Sequence, residues 1–95
     1  MNDQTSHNRI MRALADYLKV NPLASDTADG IRRWWLGTEW APSLDEVARA
    51  LETMKTMGLI KVTYAADGRQ RYSRCASDAQ LAAFVEGLDR NEGMR

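Results

Sequence analysis

Lys61, Arg69, Arg71 and Arg74 set four cations against one acid, Asp67, within residues 60–74. Side chains of this kind at this density can neutralise phosphates, and each guanidinium adds paired hydrogen bonds to the Coulomb attraction. The competing reading is that basic residues on an exposed edge strand simply block pairing with other chains. Upstream, Arg49, Thr53 and Thr56 fall at i, i+4 and i+7, one side of a helix, where guanidinium and hydroxyl groups can meet base edges or phosphates. The same side carries Asp45 and Glu52, and Asp45 stands four residues before Arg49, a spacing that equally suits a solvated ion pair. With Glu46 and Lys55, residues 43–57 hold three acids and two bases, a poor balance for an element that approaches DNA. Trp34, Trp35 and Trp40 form the third group, either an anchor for a partner or a large cover over the core.

Catalysis finds little to work with. The chain has one histidine and one cysteine, so an internal disulfide is excluded and no zinc site of ordinary spacing can form. Cys75 reads as a small residue at a strand end, and His7 as a solvated residue in the first turn of a helix. No nucleophile and base are spaced together, and no glycine-rich loop could cradle a phosphate. A non-enzymatic protein without metal or cofactor is expected. The 95 residues, 44% apolar and 27% charged with zero formal net charge, suit one small soluble domain. No apolar run approaches the ~20 residues that span a bilayer, and the polar start MNDQTSHNR lacks the pattern of a signal peptide. A cytoplasmic location is expected.

The elements that must position these groups are legible from period and punctuation. Ser43 after Pro42, with Glu46 three residues on, forms a capping box. Leu44, Val47, Ala48, Leu51 and Met54 then make an apolar stripe, and Gly58 ends the helix. Beyond it the period drops to two: Ile60, Val62 and Tyr64 alternate with Lys61 and Thr63. Asp67-Gly68 suits a two-residue hairpin turn, with the return strand over residues 69–74. Before this unit, Ser6 is the expected N-cap of a first helix with Ile10, Met11, Leu14, Tyr17 and Leu18 on its apolar face, stopped by Asn21-Pro22. A second helix is expected after Asp26, with Asp29 at N3, Gly30 permitting close packing or a tight entry, Ile31, Trp34 and Trp35 at i, i+3 and i+4, and an end at Gly37. Ser77 should cap a last helix with Leu81, Phe84, Val85 and Leu88 on one side. Residues 1–5 read as a disordered leader, 6–89 as one domain and 90–95 as a frayed end.

The capped helix, its Gly-Leu-Ile exit and the Asp-Gly-Arg hairpin resemble the recognition helix and wing of a winged helix-turn-helix domain. The resemblance implies an α+β fold: a three-helix bundle, a two- to three-stranded β-wing whose first short strand lies at Leu23 to Ser25, and a C-terminal helix. It implies a transcriptional-regulator type of function, with double-stranded DNA held by Arg49, Thr53 and Thr56 in a groove and by Arg69, Arg71 and Arg74 on phosphates. It also implies a homodimer contact through residues 78–89. The alternative is a winged helix that binds another protein through the acidic 43–57 helix and an exposed member of Trp34, Trp35 and Trp40.

Overall fold

Four helices and a three-stranded antiparallel sheet make up the chain in a computed structural model that describes residues 3–36 and 42–93. Trp40 and the expected helix end at Gly37 lie outside the described residues. The order is α1 (Asp3–Val20), β1 (Ser25–Asp26), α2 (Ala28–Gly30) running directly into a π-helical stretch (Ile31–Trp35), α3 (Leu44–Thr56), β2 (Ile60–Tyr64), β3 (Gln70–Arg74) and α4 (Asp78–Gly93). This is an α+β architecture. No helix of the described residues is long and apolar enough to cross a membrane.

Both capping boxes form. Ser43 Oγ accepts from the Glu46 backbone while Glu46 Oε1 accepts from the Ser43 backbone at 2.9 Å. Ser77 and Gln80 repeat the arrangement at the start of α4. Gly58, with φ +80°, closes α3 in a Schellman motif: its N–H reaches the Lys55 carbonyl, that of Leu59 reaches Met54, and both apolar side chains are buried. Asn21 and Pro22 stop α1 as expected, but α1 begins at Asp3, upstream of the expected Ser6 cap. Once nucleated, a helix gains one bond for each residue added, which favours growth upstream of Ser6. α4 runs to Gly93, with Leu88 buried near its end and Arg90 in its last turn complementing the C-terminal dipole.

The core gathers Ile10, Leu14 and Leu18 of α1, Ile31 and Trp35, Val47, Leu51 and Met54 of α3, Ile60, and Leu81 of α4. The stripe on α3 is rotated from its expected place: Ala50 is buried, whereas Ala48 and Leu44 face outward. On α4, Leu81 and Leu88 are buried and Phe84 and Val85 half-buried against the same core, with Arg12 of α1 pairing with Asp89 across the helices. The apolar surface expected to join two copies is therefore largely covered within one chain.

The sheet order is β1-β3-β2. β1 falls at Ser25–Asp26, starting two residues and ending one residue later than expected, with Ser25 opposite Ser73 and Asp26 opposite Tyr72. The hairpin pairs Ile60 with Arg74, Val62 with Tyr72 and Tyr64 with Gln70. Its turn departs from the two-residue type. That type needs positive φ at both central residues, and only Gly68, at +85°, has it. Ala65 instead accepts from the Gly68 N–H and donates to the Arg69 carbonyl, enclosing a three-residue loop of residues 66–68, and the Asp67 carboxylate accepts from the Arg69 N–H.

Candidate functional site

Strand alternation sorts the hairpin's polar groups onto two faces. Lys61, Thr63, Arg71 and Ser73 share the face turned away from the core, with Lys61 and Arg71 exposed. Arg71 reaches from β3 to β1 to donate to the Ser25 carbonyl at 3.3 Å. The other face starts at buried Ile60 and ends in a polar cluster at the tip. There Tyr72 donates to Gln70 Oε1 at 3.2 Å, and Gln70 Nε2 donates to the Tyr64 hydroxyl at 3.1 Å. Arg69 precedes β3 at the tip of the hairpin, where it is exposed. It flanks an open cleft of about 450 Å³ between the first turn of α2, Leu44 of α3 and the hairpin residues Gln70 and Tyr72. Its only ionic partner among the described residues is Asp67 at 3.7 Å, an exposed pair of small value.

Arg74 does something different from what its position in the basic run suggests. Its side chain is only 14% exposed. Nε donates to the Ala76 carbonyl at 2.5 Å, Nη1 to the Leu18 carbonyl at 3.2 Å, and Nη2 stands 2.8 Å from Asp78 Oδ1. One guanidinium thus satisfies a carbonyl in the last turn of α1, the β3–α4 link and an acid in the first turn of α4. Arg74 is a tie between elements and is withdrawn from the phosphate contacts.

On α3, Arg49 is exposed with no side-chain partner among the described residues. The two threonines are less free. Thr53 donates its hydroxyl to the Arg49 carbonyl at 3.1 Å and Thr56 donates to the Glu52 carbonyl at 3.0 Å, so each keeps only acceptor capacity. Thr53 is also half-covered by His7 of α1, whose Nε2 lies 3.1 Å from Thr53 Oγ1. With the threonine proton already given to Arg49, the ring nitrogen is the donor. His7 is therefore not the free first-turn residue its sequence position suggested. Only the packing of α1 on α3 brings the two together. Lys55 pairs with Glu52 at 3.3 Å, and Asp45 remains exposed.

The tryptophans separate cleanly. Trp35 is 8% exposed and stacks on Tyr17, with ring centroids 4.6 Å apart and planes 14° from parallel. Trp34 is 72% exposed. The wider turn of the π-helical stretch accounts for the choice, because it brings residues four apart, Ile31 and Trp35, onto one side and leaves Trp34 off it. Trp35 is thus a core residue and is removed from the partner-binding group.

At the start of α2, Thr27 is the N-cap, accepting from the Gly30 N–H at 3.1 Å, so Asp29 occupies N2 and not N3. The Asp29 carboxylate accepts from Arg32 at 2.9 Å and lies 3.1 Å from Arg33 Nε. The Arg32 hydrogen bond, aided by the charge of Arg33, holds its pKa below the ordinary 3.8. Cys75 is exposed just beyond β3. Among the described residues no group of histidine, cysteine and acidic side chains could hold a metal ion. No protein-family model matches the chain, and neither the curated proteins nor the solved structures include one significantly similar to it.

Proposed function

We propose that this chain is a winged-helix-type module that binds duplex DNA, gripping the backbone with its hairpin as a wing and presenting Arg49 as the main base-reading side chain of α3. The observation that carries this reading is the distribution of exposed cations. Lys61 and Arg71 project from one face of the hairpin and Arg69 stands exposed at its tip, so phosphates approaching that face or the tip meet positive charge. Arg71 lies on β3, the central strand, where a charge does not protect a sheet edge, so contact with a phosphate backbone suits it better. The element order and the β1-β3-β2 sheet are compatible with a winged helix.

In this account affinity comes from the wing and sequence preference is modest. Asp45 and Glu52 face outward on α3, and both threonine hydroxyl protons are engaged by the helix itself. The chain binds without catalysing a reaction or using a cofactor. An amide NMR titration with a random-sequence duplex tests it. Shifts at residues 61–71 and around Arg49 that weaken as salt rises are expected, and their absence at low salt would remove DNA from consideration.

A second reading rests on Trp34. A tryptophan 72% exposed on a short domain is the side chain best suited to anchor a protein partner, with the acidic groups of α3 offering complementary charge. Under this reading Trp34→Ala abolishes capture of the partner while the duplex titration stays silent.

A further inference from the structure

The open edge of the sheet belongs to β2, and its residues are arranged to pair with themselves. The Ala65–Arg69 and Leu59–Cys75 backbone bonds fix the phase of the hairpin ladder. In an antiparallel pair the bonded residues alternate, so Lys61 and Thr63 direct their backbone groups toward Ser73 and Arg71. Ile60, Val62 and Tyr64 therefore point their N–H and C=O groups outward. No backbone bond from these three to anything beyond the hairpin is present among the described residues. The strand has no proline, glycine or bulge, the devices that usually spoil such an edge, and it carries a single charge. Tyr64 is 69% exposed at its end.

We propose that β2 pairs antiparallel with β2 of a second copy of this chain about a two-fold axis through Val62, extending two three-stranded sheets into one of six strands. Centring on Val62 sets Val62 against Val62 of the second copy, Ile60 against Tyr64, and Lys61 against Thr63. This register puts every outward backbone group in phase, giving about six inter-chain hydrogen bonds. It also keeps the lysines from standing opposite each other and places the exposed Tyr64 ring beside Ile60 and Val62 of the other copy. A shift of one residue would bring inward-directed groups to the edge and lose the bonds. Self-pairing of this kind is isologous and closes at two copies. The inference is independent of DNA, and its test uses the protein alone.

Sedimentation velocity over roughly 10 μM to 1 mM should show a reversible monomer–dimer equilibrium, as expected of a small interface. Val62→Pro removes an outward N–H without removing a bond to β3, so the monomer keeps its far-UV spectrum while association falls about tenfold or more. Tyr64→Ala, at an exposed position that leaves the monomer fold intact, should weaken association roughly fivefold. A single monomeric species across the whole range would overturn the proposal. So would a dimer whose dissociation constant is unchanged in Tyr64→Ala and in any folded Val62→Pro protein.

Discussion

Arg74→Ala should destabilise the fold while leaving the exposed cations of the hairpin in place. The side chain is 14% exposed and bonds the Ala76 and Leu18 carbonyls at 2.5 and 3.2 Å. Hydrogen bonds from a charged donor contribute ~1.5–3 kcal/mol each, and the longer of these belongs at the low end. The 2.8 Å pair with Asp78 adds only ~0–1 kcal/mol, because Asp78 is largely exposed and solvent screens it. Allowing for water to reach the freed carbonyls, the loss comes to about 3 kcal/mol. For a domain of this size each kcal/mol moves the midpoint by roughly 4–8 °C, so Tm should fall by about 12–24 °C. A thermal melt followed by far-UV circular dichroism reads this directly. Arg71→Ala is the matched control: exposed, with one 3.3 Å bond to Ser25, it should change stability by no more than ~0.5 kcal/mol. A fall of less than ~4 °C for Arg74→Ala, the equivalent of one kcal/mol, would refute the reasoning and return Arg74 to the phosphate contacts.

The two tryptophans should behave oppositely in urea denaturation. Trp35→Ala loses the Tyr17 stack and its core packing at a cost of ~3–5 kcal/mol, whereas Trp34→Ala stays within ~0.5 kcal/mol; equal effects would contradict their placement. Gly30→Ala, normally worth ~1 kcal/mol of added stability in a helix, should here destabilise, because the new methyl meets the Asp26 carboxylate that accepts from the Thr27 N–H at 2.8 Å. Restored stability in the Asp26→Ala background would show that this contact is the cause. Asp29 has a depressed folded-state pKa, so its contribution is fully present above the ordinary 3.8 and is lost as pH falls through the lower folded value. Carboxyl NMR should find Asp29 titrating below the ordinary value, and Arg32→Ala should raise it, Arg32 being its main partner.

Local chemistry carried much of the fold into the sequence. The Ser43–Glu46 and Ser77 caps, the Gly58 stop and the change of period at Ile60 each depend on residues within a few positions of one another, and all formed. What stayed hidden depends on tertiary packing. Nothing near Arg74 in the sequence announces that the end of α1 arrives beneath it, and nothing near His7 announces Thr53. A strict 3.6-residue period leaves Trp34 and Trp35 equally placed beside Ile31, and the π-helical turn that separates them carries no obvious sequence mark. The α3 stripe differs at Leu44, which borders the open cleft beside α2 and the hairpin, and at Ala48, which faces outward; the helical period alone does not distinguish these positions from the buried Ala50. Of the six residues proposed for DNA, Arg49, Arg69 and Arg71 are exposed, Arg69 beside Asp67 and Arg71 bonded to the Ser25 carbonyl, while Thr53 and Thr56 are engaged through their protons and Arg74 is structural.

The most direct test of wing-led DNA binding is the salt dependence of the affinity for a random-sequence duplex, measured by fluorescence anisotropy. Arg49, Lys61, Arg69 and Arg71 reaching phosphates or groove edges predict a slope of log K against log salt of about −3 to −4. Arg71→Ala should flatten it by about one while leaving the fold intact. No binding at low salt, or a slope that Arg71→Ala leaves unchanged, would contradict the account.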